Sequence, residues 1–252
     1  MYDTEEKLTK SRILSGSTLK IIACISMLID HATLILWHEF RGYIVSLDYD
    51  SIMIYEKLYH VGRSIGRLAF PIFCFLLVEG FFHTKSMVKY IIRLFIMALV
   101  SEHAFNLLAS GTHFDPENQN VFFTLVVSLV TIWLLDTARK RFADRPDIIS
   151  VLTIVITGLG CLLAYKIDSD YDYKGVLAVT IIYLLHESRI LTCLATALTF
   201  TWEPWAIPSV IPIFLYNGKR GLRLKYLFYA FYPLHIYLVY FLAKVISGNF
   251  SF

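Results

Sequence analysis

The chain reads as an all-α, polytopic membrane helix bundle of about nine transmembrane helices, with its N-terminus inside and its C-terminus outside. Three observations predict this. Of its 252 residues, 57% are hydrophobic and only 17% charged, which is more apolar side chain than a soluble core of this length needs. Apolar runs approaching the roughly 20 residues that cross a hydrocarbon core recur along the whole chain. The charges fall between those runs, basic on one set of connections and acidic on the other. A net charge of +3 with the bases in short loops orients spans in a lipid bilayer and argues against a nucleic-acid partner.

Residues 1–17 open the chain as a cytoplasmic tail, because Met1 to Lys10 mixes acids with bases and no small-residue cleavage site follows. The expected spans are 18–37, 63–82, 88–109, 120–137, 148–167, 175–187, 190–203, 206–217 and 226–246. Lys20, then Lys85 and Lys89, then Arg139, Lys140, Arg141 and Arg145, then Arg189, then Lys219 to Lys225 mark the inner side. Asp48, Asp50 and Glu56, then Asp115 and Glu117, then Asp168, Asp170 and Asp172, then Glu203 mark the outer side. The longest connection, 38–61, contains "SIMIYEKLYHVG", with the apolar spacing of a short helix on the outer interface. Within 188–217, the three prolines of "WEPWAIPSVIP" predict broken or re-entrant helices. No repeat or soluble segment interrupts the pattern, so 1–252 is read as a single domain. Cys24, Cys74, Cys161 and Cys193 stand singly in apolar runs, so neither a disulfide framework nor a metal site is expected.

An ionised side chain near the bilayer centre costs about 2.5–3.5 kcal/mol on insertion scales, so those that occur pair or line a cavity. Asp30 and His31 lie ten and eleven residues beyond Lys20, about 15 Å deep at 1.5 Å per residue. Glu79 and Arg93 share a depth on spans joined by a tight inner loop, and a structural ion pair is the plainest reading. Asp30, His31, Arg67, Glu102, His103 and His235 share the middle and outer half, and their convergence is the candidate site. Asp30 points about 100° away from His31 on a helix, which suits it to hold a neighbouring helix. Pro71 frees the Arg67 carbonyl and Pro233 that of Tyr229, both toward a cavity. Gly62 and Gly66, four apart, read as a close helix contact. Walker A, dinucleotide, zinc-helix and nucleophile-elbow motifs are absent from the sequence.

Three stretches carry a resemblance: "LKIIACISMLIDH" at 19–31, "GRLAFPIFCFLLVEGFFHT" at 66–84 and "IPIFLYNGKRGLRLKYLFYAFYPLHIYLVY" at 211–240. Together with "QNVFFTL" at 119–125 and "DYDYKGVL" at 170–177, they make the chain resemble the TraX family over nearly its whole length. The resemblance implies a bacterial inner-membrane, multi-pass acetyltransferase that takes acetyl-CoA as acyl donor and passes the acetyl group through an intramembrane histidine, here His31, to an acceptor on the far side. With His31 as general base, the residues that share its depth complete a catalytic set, Asp30 fixing the helix around it and Arg67 or His235 stabilising the oxyanion, with transfer either direct or through a transient acetyl-His31. Glu102 and His103 fall to the acceptor pocket. Lys219, Arg220, Arg223 and Lys225 fall to the acyl-CoA phosphates. The third span departs from the family pattern: Ala104 and Asn106 stand where a proline and an aspartate are expected, with His103 added. The pilin acceptor is therefore not carried over, and the acceptor class stays open among small molecule, glycan and peptide, as does self-association. The competing class is a small proton-coupled secondary transporter, since buried acids and histidines also build proton relays.

Overall fold

The computed structural model describes residues 12–222 and 224–248. Among them every regular element is helical, and the only bridging pairs are Leu14 with Tyr216 and Gln119 with Ser169. In chain order the α-helices are α1 Gly16–Ile44, α2 Tyr49–Gly66, α3 Ala69–His83, α4 Met87–Ala109, α5 Val121–Arg141, α6 Pro146–Lys166, α7 Asp172–Leu184, α8 Arg189–Thr199, α9 Val210–Phe214 and α10 Lys225–Ser247, with a 3-10 segment Pro204–Ser209 before α9.

Among the described residues, six segments rather than nine are long and apolar enough to cross a membrane: α1, the run Tyr49–His83, α4, α5, α6 and Tyr226–Ser247. The shortfall lies between α6 and α10. Helix α7 has 13 residues and α8 has 11, about 20 and 17 Å at 1.5 Å per residue against a core near 30 Å. Pro204 and Pro208 lack the N–H a longer helix would need, and the chain takes 3-10 geometry there, as the broken-helix reading expects. The 38–61 connection is corrected too: α1 runs on to Ile44 and α2 begins at Tyr49, so four residues join them. Asp48 caps α2 by accepting from the Ser51 N–H at 3.1 Å. Pro71 cannot donate to the Arg67 carbonyl, and the run breaks at Arg67 and Leu68, whose N–H groups turn back to Ser64 and Ile65 at 3.3 Å.

Two compact units make up the chain. The first comprises residues 1–72, 104–113 and 203–252, and the second 73–103 and 114–202. In the first, α1 packs against both α2 and α10. A Cβ at Gly62 would overlap Thr33 and one at Gly66 would overlap Asp30, so the two glycines let α2 approach α1, as the spacing predicts. Helices α1 and α10 run parallel. At their start the Gly16 and Ser17 N–H groups donate to the Lys219 and Arg220 carbonyls at 2.8 and 3.0 Å. Further along, Lys20 lies over Phe228, His31 meets His235, and Glu39 meets Lys244.

In the second unit α5, α6 and α7 pack on one another and α7 on α8. Asn120 caps α5, accepting from the Phe122 N–H at 3.0 Å. Asp168, in the turn before α7, and Asp172, the first residue of α7, have positive φ, 46° and 49°. The Gln119 N–H donates to Asp168 O and the Asp170 N–H to Gln119 O, both at 2.9 Å, so the "QNVFFTL" and "DYDYKGVL" stretches meet.

Candidate functional site

The polar cluster of the first unit is built from three helices and one loop. Helix α1 supplies Asp30 and His31, α2 supplies Arg63 and, just past its end, Arg67, α10 supplies His235, and the segment ahead of the 3-10 turn supplies Glu203. His31 Nδ1 lies 2.8 Å from His235 Nε2, a hydrogen-bond distance, with the ring planes inclined by 12° and their centroids 4.9 Å apart. His235 Nδ1 lies 2.7 Å from the Phe231 carbonyl. The Phe231 ring stacks on His235 at 4.6 Å, and Tyr232 presents its edge to both imidazoles. The pair is thus walled by aromatic rings.

Beside it stand two ion pairs. Arg63 Nη1 donates to Asp30 Oδ2 at 2.6 Å, and Arg67 Nε lies 3.3 Å from Glu203 Oε2. Asp30 holds the neighbouring helix, as its angular position predicts, and its Oδ2 also stands 4.0 Å from His31 Nε2. Arg63 and Glu203 complete the network and were not among the expected site residues. Arg63 sits one helical turn before Arg67, beside Gly62, and that i,i+4 spacing is a signal available in the sequence. Nothing local to Glu203 distinguishes it from the other loop acids.

At the start of the same two helices, the loop carrying Lys219 and Arg220 closes over the first turn of α1. Gly221 has φ +72° and lies against Ser15 and Ser17, and the Leu222 N–H donates to Ser17 Oγ at 2.9 Å. Lys219 and Arg220 are exposed there. Arg223 lies outside the described residues, and Lys225 opens α10.

Glu102 and His103 belong to the second unit. Glu102 Oε2 accepts from Asn120 Nδ2 at 2.5 Å and from its backbone N–H at 3.4 Å, which ties α4 to the cap of α5, while His103 is exposed on α4. The expected Glu79–Arg93 pair is corrected. Glu79 Oε1 lies 2.7 Å from His186 Nε2 and 3.9 Å from Arg189, whereas Arg93 holds its guanidinium 5.7 Å above the Tyr90 ring. Equal depth does not fix rotation about the helix axis, and α3 turns Glu79 toward the connection between α7 and α8.

The family described as TraX protein matches residues 15–243. The chain belongs to the TraX family. A relative from Dichelobacter nodosus, described as a probable fimbrial assembly protein FimC, serogroup H1, is 28% identical over 248 residues, covering 89% of this chain and 94% of the relative. No solved structure matches the chain. The TraX match takes in α1 through most of α10, so both histidines and both ion pairs of the cluster lie inside it.

Proposed function

We propose that this TraX-family chain is an acetyl-CoA-dependent acetyltransferase of the bacterial inner membrane, transferring to an amine or hydroxyl acceptor at the outer face. The observation that carries it is the hydrogen-bonded His31–His235 pair, set between parallel helices whose common start bears Lys219 and Arg220. From Lys20 to His31 is eleven residues of helix, about 16 Å along the axis, a distance suited to a pantetheine arm that leaves its phosphates at the basic loop. The N–H groups of Gly16 and Ser17 are already taken by loop carbonyls, so phosphate contacts fall to the lysine and arginine side chains.

In this reading His31 takes the proton of the acceptor N–H or O–H as the acceptor's lone pair attacks the thioester carbonyl carbon. The carbon–sulfur bond then breaks, and the same proton passes from His31 to the leaving thiolate. Arg67 is the candidate for stabilising the oxyanion, while the Asp30–Arg63 pair holds α1 against α2 and keeps His31 in register. The similarity to the Dichelobacter nodosus relative, a probable fimbrial assembly protein, makes a fimbrial subunit one acceptor to try.

The sidedness rests on charge and on one contact pattern. The basic loops put the N-terminus inside, and parallel α1 and α10 begin on the same side. Five of the long segments precede α10, so in this reading the short helices between Asp172 and Phe214 together supply a further crossing, and the C-terminus lies outside. The test is to give radiolabelled acetyl-CoA to everted membrane vesicles with and without this chain. Label transferred to an acceptor only when His31 is intact supports the reading. Gradient-driven solute uptake with no label transfer would move the chain to the transporter class.

A further inference from the structure

The two bonds made by His235 determine the proton positions of both imidazoles. A carbonyl oxygen only accepts, so the 2.7 Å contact from His235 Nδ1 to Phe231 O places a proton on that Nδ1. A neutral imidazole carries one N–H, which leaves His235 Nε2 as an acceptor. The 2.8 Å bond between the rings is then donated by His31 Nδ1. His31 Nε2 keeps its lone pair, and Asp30 Oδ2 stands 4.0 Å away, beyond hydrogen-bond reach.

We infer that His235 is a positioning residue: it locks His31 in the Nδ1–H tautomer and makes His31 Nε2 the one basic nitrogen of the pair that faces outward from it. The consequence for rate rests on the acetyltransferase reading, whereas the tautomer does not. With Nε2 as its acceptor atom toward His31, His235 has no N–H left for an oxyanion, which removes it from the role first expected of it and leaves that role to Arg67. The bonded chain ends at the Phe231 carbonyl, which cannot carry a proton onward. The proton that Nε2 takes from the acceptor therefore leaves from Nε2, to the thiolate released as the carbon–sulfur bond breaks, and the ring ends the cycle as it began.

The experiment uses the full chain in detergent with ¹⁵N-labelled histidine, its His31 and His235 signals assigned by their loss in H31Q and H235Q. The expected spectrum shows both rings protonated at Nδ1 and bare at Nε2. A proton on His31 Nε2 at neutral pH would overturn the inference, whatever the activity. The second arm measures label transfer from acetyl-CoA in everted vesicles. His235→Leu, which removes the acceptor, should lower the maximal rate by at least about tenfold with KM for acetyl-CoA unchanged, since a ring in the wrong tautomer presents no base. His235→Gln, whose amide oxygen can still accept from His31 Nδ1–H, should stay within about threefold of the parent. Equal rates for the leucine variant and the parent, or equal losses in both variants, would overturn the positioning role. If the tautomer is as expected but no label transfer depends on His31, the acetyltransferase reading fails and the tautomer assignment stands.

Discussion

The Asp30 carboxylate occupies the space that any side chain at position 66 would need, so the α1–α2 contact and the Asp30–Arg63 ion pair are one construction. Gly66→Ala is therefore expected to do more than tighten a helix contact. Overpacking of this kind costs about 1–3 kcal/mol, and here the group displaced is the carboxylate that holds Arg63 through its other oxygen. Thermal unfolding in detergent should show a lower midpoint for Gly66→Ala, and label transfer should fall with it. An alanine at Gly42, which has open space around it, should leave both unchanged.

His31→Ala should abolish acetyl transfer while leaving expression and the unfolding midpoint close to the parent. Its ring makes one side-chain hydrogen bond, to His235, worth about 1 kcal/mol net. Full label transfer by this variant in everted vesicles would end the proposed mechanism.

Asp30→Asn should destabilise the chain by about 1–3 kcal/mol, the cost of leaving a partly buried donor without its acceptor, since the half-buried Arg63 guanidinium loses its carboxylate. Replacing both partners, as in Asp30→Asn with Arg63→Met, should recover part of that loss. A double-mutant cycle by thermal unfolding reads the coupling, and strictly additive losses would show that the pair contributes nothing.

Replacing Lys219 and Arg220 together by alanine should weaken acetyl-CoA binding and flatten its salt dependence, because both side chains are exposed and their phosphate contacts are screened. Calorimetric titration of the purified protein at two ionic strengths checks this. An unchanged affinity would move the phosphate site away from this loop.

Cysteines introduced singly at Ser46 and Glu117, both exposed, in a background lacking the four native cysteines, should react with an impermeant maleimide on intact spheroplasts. A cysteine at Ala143, also exposed, should react only after lysis. The reverse pattern would invert the topology and place both substrates on the wrong faces.

Much of the architecture was legible without coordinates because its causes are local. Crossing helices announce themselves by apolar length, which is why α1, α4, α5, α6 and α10 fall where the runs predict, and loop charge alone suggests the alternation of sides. The glycine pair at 62 and 66 was legible for the same reason, since four-residue spacing is one helical face. The motifs that carry the TraX resemblance are likewise contiguous strings. Where hydropathy was the only guide it overcounted, as in 172–214, because an apolar composition does not say whether prolines let a helix grow to full length.

Pairing across helices was decided by the tertiary structure alone. Depth placed Asp30, His31, Arg67 and His235 in the same part of the membrane, but depth is one coordinate, and each residue advances a helix by 100° about its axis. Rotation sends Glu79 to His186 and Arg189 instead of Arg93, gives Asp30 to Arg63, and brings Glu203 to Arg67 across 136 positions of sequence. The same holds for His31 and His235: the sequence by itself determined that both lie in apolar helices, and only the parallel packing of α1 on α10 decided that their nitrogens meet at 2.8 Å, because a hydrogen bond depends on direction as well as distance.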